Sequence, residues 1–136
     1  WMVAALVCSA AFSRGCVALV LGSLPYARDE TDAKAKPIAG RVSAGDVLCA
    51  VLFAVAPSIA LATWTGDATP VLMATSFALG AAALMRRMIR RRLGGYTGDC
   101  LGAVQQVAEL AFLLGLLIVL GALPDVLPTE DPEEEE

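Results

Sequence analysis

The sequence predicts an all-α fold, a polytopic membrane helical bundle with about four transmembrane helices, and three observations carry that prediction. Hydrophobic residues make up 57% of the 136 and the mean hydropathy is +0.68, with aromatics at only 6%, so the apolar mass is Ala, Leu and Val. A soluble domain sits nearer half apolar. The apolar residues fall into four long runs separated by polar connections, each run long enough to cross a bilayer. The charges are segregated, with Lys and Arg gathered in two connections and acids in the tail. One transmembrane region, 1–124, and an acidic disordered tail, 125–136, are therefore expected, with the lipid bilayer as surroundings. The net charge of −4 and its placement give no sign of a nucleic-acid partner.

The first run covers Trp1 to Leu24 and is interrupted by Ser9, Ser13 and Arg14. A cation at that depth costs a few kcal/mol, so Arg14 is expected to face the protein interior or a wet cavity. Pro25 ends the run, and Tyr26 and Arg28 follow where an interfacial belt would lie. The polar stretch from Arg28 to Asp46 is a loop. Val47 to Thr65 forms the second span, with a kink expected at Pro57. Gly66-Asp67 turns the chain, Pro70 opens the third helix, and Val71 to Ile89 spans again before ending in Arg86, Arg87, Arg90, Arg91 and Arg92. The fourth span runs from Cys100 to Leu123, after which Pro124, Pro128 and Pro132 prevent a helix. Both basic connections belong in the cytoplasm by the positive-inside bias, which puts the Gly66 turn and the tail outside. Cys8, Cys16, Cys49 and Cys100 form no C-x-x-C pair and the chain has no His, so the cysteines read as small apolar residues.

Unexplained polarity concentrates in Gly94-Gly95-Tyr96-Thr97-Gly98-Asp99 and the helix that follows. The glycines permit unusual backbone angles, and Thr97 and Asp99 are capping types, so a helix should begin near Asp99. Asp99, Gly102, Gln106 and Glu109 then share one face, with Glu109 near mid-membrane. Amides at such a helix start suit a phosphate. Asp99 would repel that phosphate unless a hard cation came between them, which predicts Mg2+ with Asp99 as its ligand. The arginine collar adds positive potential at the same membrane surface, or serves simply as a topological anchor. Equally, Asp99 could be a helix cap, and Gln105, Gln106 and Glu109 interhelical hydrogen-bonding groups. Arg14 and Glu109 each lie ten residues from the cytoplasmic end of their span, which suggests that they pair inside the bundle.

Gly94-Gly95-Tyr96-Thr97-Gly98-Asp99-x-Leu101-Gly102-Ala103, with Gln105-Gln106 and Glu109 behind it, resembles the signature of the cobalamin (5′-phosphate) synthase, or adenosylcobinamide-GDP ribazoletransferase, family. Ser13-Arg14 followed by Leu24-Pro25-Tyr26-Ala27-Arg28 is similar to a second block of that family. The resemblance implies a multi-pass enzyme of the bacterial inner membrane that joins alpha-ribazole or its 5′-phosphate to adenosylcobinamide-GDP, releases GMP and requires Mg2+. It also implies catalytic roles for Asp99, Glu109 and Arg14. Substrate-binding roles fall to Arg28, Tyr26, Gly94, Gly95, Thr97 and Gly98. The family's acidic Asp-Gly-Leu-x-Asp-x-x-Asp-Gly motif has no match here, so these residues are expected to be the carboxy-terminal half of a longer enzyme whose amino-terminal half is missing, and to be inactive alone. Another membrane phosphotransferase using a nucleotide-activated alcohol, or a non-enzymatic transport or assembly subunit, are the competing readings.

Overall fold

A computed structural model of the chain describes residues 2–27 and 42–122. Arg28, the first loop to Arg41 and the acidic tail lie outside the described residues. Four helices follow in order: α1 (Met2–Ser23), α2 (Ala44–Thr65), α3 (Thr69–Leu93) and α4 (Gly98–Ala122). Each is long and apolar enough to cross a membrane. The fold class predicted from the sequence is the one observed.

Helix ends follow local chemistry. α2 starts three residues before the expected Val47 because Ser43 and Asp46 form a capping box: Ser43 Oγ accepts from the Gly45 amide at 3.0 Å, and Asp46 accepts from the Ser43 amide at 3.0 Å. The helix then continues through Pro57. Gly66, at φ 71°, closes it. In the turn that follows, the Asp67 carboxylate accepts from the Thr69 amide at 2.8 Å, which holds its pKa below the usual carboxylate value. That contribution is present above the ordinary carboxylate pKa and is lost as pH falls through the depressed one. Pro70 sits in the first turn of α3, as expected. α3 extends past Ile89 to Leu93 because arginines are good helix formers, and it stops at Gly94, at φ 70°.

α1 packs on both α2 and α4, α4 packs on α3, and α2 barely meets α3, so a cleft opens between those two. Small residues set these approaches. A Cβ on Gly15 would lie 2.5 Å from the Ala54 Cβ, and one on Gly115 would lie 2.8 Å from the Ala74 Cα. In lipid, where apolar burial gives helices little reason to associate, such close backbone contact is a main source of adhesion. The core between α1 and α4 holds Phe12 against Phe112, ring centroids 5.6 Å apart, with Val104 and Ala108 fully buried nearby. Ser9 and Ser13 return their hydroxyls to the carbonyls of Leu6 and Ala10 in their own helix.

Candidate functional site

The glycine turn is built by three different constraints. Gly94 takes the left-handed conformation that ends α3. Gly95 is buried, and a Cβ there would come within 2.5 Å of the Pro25 carbonyl oxygen and 3.0 Å of the Ala27 amide nitrogen, so the residue is small because backbone passes against it. That approach lets Tyr96 pair with Tyr26. The Tyr96 amide donates to the Pro25 carbonyl at 2.9 Å, and the Ala27 amide donates to the Tyr96 carbonyl at 3.0 Å. The two rings meet edge to face at 5.4 Å. Tyr96 is buried at 8% exposure, while Tyr26 remains 41% exposed.

Thr97 and not Asp99 caps α4. Its hydroxyl accepts from the Cys100 amide at 3.4 Å, and its carbonyl accepts from the Leu101 amide at 3.1 Å. The expectation that Asp99 could be the cap is therefore corrected: the helix begins one residue earlier, at Gly98, and Asp99 stands in its first turn. Asp99, Gly102 and Gln106 are exposed and Glu109 is half-buried. Among the described residues none of these side chains has a hydrogen-bond or ion-pair partner.

The expected Arg14–Glu109 pair does not form. Arg14 is exposed, and its Nη1 donates to the Ala10 carbonyl of its own helix at 2.7 Å. The depth argument holds even so. α1 and α4 run antiparallel with Phe12 opposite Phe112 and Tyr26 opposite Tyr96, so Arg14 and Glu109 come level to within about one residue rise of 1.5 Å. What fails is the azimuth. Arg14 is two residues beyond Phe12, about 200° round the helix, and so points away from the face that Phe12 turns toward α4.

The structure thus brings Tyr26, Gly94, Gly95, Thr97, Gly98 and Asp99 together at one end of the bundle. It does not bring Arg14 or Glu109 there: ten residues of helix separate Asp99 from Glu109, about 15 Å of rise. Among the described residues no three His, Cys, Asp or Glu side chains gather as a metal site. Asp99 alone cannot cage Mg2+, but it meets the smaller demand of an ion carried by phosphate oxygens, which needs one or two protein carboxylates. Reading the sequence residue by residue missed the Pro25–Ala27 backbone as the partner of the turn. Neighbouring Gly94-Gly95 was a signal of close approach, but it did not say what approached.

A profile of the family described as Cobalamin-5-phosphate synthase matches residues 1–117. A protein of Polaromonas sp. named adenosylcobinamide-GDP ribazoletransferase is 42% identical over 117 residues, covering 86% of this chain and 41% of the relative. Proteins of the same name from Leptothrix cholodnii and Vibrio parahaemolyticus are 46% and 35% identical, covering 83% and 86% of this chain and 43% and 42% of those relatives. The chain spans about two-fifths of the length of the curated relatives it matches. No solved structure matches.

Proposed function

This chain belongs to the cobalamin-5-phosphate synthase family, and from that premise we propose that it forms the glycine-turn side of an adenosylcobinamide-GDP ribazoletransferase. The enzyme would join alpha-ribazole or its 5′-phosphate to adenosylcobinamide-GDP and release GMP. The observation that supports this best is the Tyr26–Tyr96 clamp. It fastens the two stretches that resemble the family's signatures, about seventy residues apart in sequence, into one surface beside Asp99.

The chemistry asks for little from the protein beyond alignment and charge stabilisation. The attacking oxygen bonds to the phosphorus that stays with the cobinamide, and the bond from that phosphorus to the bridging oxygen breaks, so negative charge develops on the departing GMP. The first-turn amides of Gly98 and Asp99 are orphan donors by position, and they sit at the positive end of the α4 dipole. They would bind the diphosphate oxygens beside the exposed Tyr26 ring, with Arg28 two residues further on in sequence as a phosphate partner. Asp99 is the residue that would hold Mg2+, which when bound would supply further neutralisation of the leaving group. Arg14 and Glu109 lie too deep to touch a diphosphate at this turn. Their role is to meet the portion of the enzyme that this chain does not match, expected to be an amino-terminal half carrying further acids. The setting is the bacterial inner membrane with the glycine turn toward the cytoplasm.

The test joins this chain to the unmatched portion of the Polaromonas relative and follows GMP release from adenosylcobinamide-GDP on addition of alpha-ribazole and Mg2+. Asp99→Asn should lower turnover at least about tenfold, or about 1.4 kcal/mol of transition-state stabilisation, with folded yield unchanged because Thr97 keeps the cap. Equal losses of turnover and yield would reduce Asp99 to a structural residue, and no GMP release from an intact preparation would favour a membrane subunit without catalysis.

A further inference from the structure

Away from the polar face of α4, three hollows lie in series, each sharing wall residues with the next. The cleft between α2 and α3 is an apolar cavity of about 690 Å³ walled by Phe12, Ala54, Val55 and Val71, and it shares Cys16, Leu19 and Leu79 with a second hollow of about 300 Å³. That second hollow ends on Ser23, Ala83 and Arg86. Ala83 and Arg86 in turn belong to a third hollow of about 660 Å³, whose other walls are Leu84, Arg87, Arg90 and Arg91. None of the three is lined by α4. We propose that this trough binds one anionic membrane phospholipid, with its phosphate among Arg86, Arg87, Arg90 and Arg91 and its alkyl chains running past Leu79 into the α2–α3 cleft.

Charge argues for the head. Four guanidiniums at i, i+1, i+4 and i+5 share one side of α3, and among the described residues none of them meets a carboxylate. Like charges so spaced repel unless an anion sits between them, and guanidinium forks match phosphate oxygens. Arg86 is already oriented, since its Nε donates to Ser23 Oγ on α1 at 2.7 Å. Shape argues for the tail. Ala83 and Leu84 give the arginine hollow an apolar floor, which a freely hydrated anion would not use. From Arg86 back to Val71 is fifteen residues of α3, about 22 Å, longer than half of a hydrocarbon layer of about 30 Å. Topological anchoring accounts for arginines at a membrane surface. It does not account for four of them lining one hollow on α3 that shares Ala83 and Arg86 with an apolar trough.

The experiment is native mass spectrometry of the delipidated full chain in a neutral detergent, offered phosphatidylglycerol, phosphatidylcholine or inorganic pyrophosphate. One phosphatidylglycerol should be retained, about tenfold more readily than phosphatidylcholine, and pyrophosphate should not displace it. Neutralising Arg87, Arg90 and Arg91 together to Gln should remove the preference, while Arg92→Gln, which alters an arginine outside the hollow, should leave it within about twofold. Ala83→Phe keeps every charge and fills the junction of the hollows, so it should expel the lipid whether or not the neutralised helix inserts. Equal retention of both lipids, equal loss on Arg92→Gln, displacement by pyrophosphate or full retention by Ala83→Phe would each overturn the site.

Discussion

A Cβ on Gly95 would strike the Pro25 carbonyl oxygen at 2.5 Å, one on Gly98 would meet nothing within 4 Å, and Gly94 has open space but a φ of 70°. Three substitutions that look alike on paper therefore have different outcomes. Gly95→Ala should break the two hydrogen bonds between Tyr96 and the Pro25–Ala27 segment and cost about 1–3 kcal/mol. Gly94→Ala should cost about 1–2 kcal/mol in backbone strain. Gly98→Ala should leave the unfolding midpoint where it is, which circular dichroism in detergent will show, so any turnover it loses in the family-length enzyme reports crowding of a ligand. An unfolding penalty at Gly98 equal to that at Gly95 would mean that the turn is a folding element only. At this scale the sequence displayed the residue types that matter and concealed their division of labour. Thr97 and Asp99 were both plausible caps, and only the one-residue difference in where α4 begins made Thr97 the cap and left Asp99 free to face a ligand.

The four spans could be read directly because each apolar run is about as long as the hydrocarbon layer of a bilayer is thick. Their ends were harder, since hydropathy marks the hydrocarbon edge and helices do not stop there. α3 carries its arginines for another turn, and α2 begins at a capping box, Ser43-x-x-Asp46, that was present in the sequence as a pattern. The pairing of helices depends on glycines whose importance is invisible without their neighbours. A Cβ on Gly115 would lie 2.8 Å from the Ala74 Cα across the α3–α4 contact, while one on Gly80, on α3, would meet nothing within 4 Å. Gly115→Ala should thus destabilise by about 1–3 kcal/mol through overpacking, and Gly80→Ala should stabilise by about 0.5–1 kcal/mol through helix propensity. Unfolding titrations in SDS would check the pair, and the same sign for both would remove close backbone contact as the force joining α3 to α4.

Across the whole molecule, mid-depth polarity and interfacial charge are separated. The arginines lie on the flank of α3 that leads to the apolar cleft, while Arg14 on α1 and Glu109 on α4 lie at matched depths, about 15 Å from Asp99 at the glycine turn. Facing hydrocarbon, Arg14 would cost about 2.5–3.5 kcal/mol, a penalty that falls when a second polypeptide surface supplies an acceptor. Arg14→Leu should therefore raise the stability of this chain alone in bilayer nanodiscs and lower that of the family-length protein. A change of the same sign in both would place Arg14 in lipid or water throughout. Whether the proposed nucleotide site opens toward the cytoplasm depends on orientation. The bias of basic residues predicts the Gly98 end inside and the Asp67 turn outside. In a background with Cys49 replaced by Ser, a cysteine at Asp67 should react with an impermeant maleimide in intact cells, and one at Gly98 only after permeabilisation. The reverse pattern would carry the glycine turn, Asp99 and the arginine hollow to the compartment where a cytoplasmic nucleotide never arrives, and the transferase reading would fall with it.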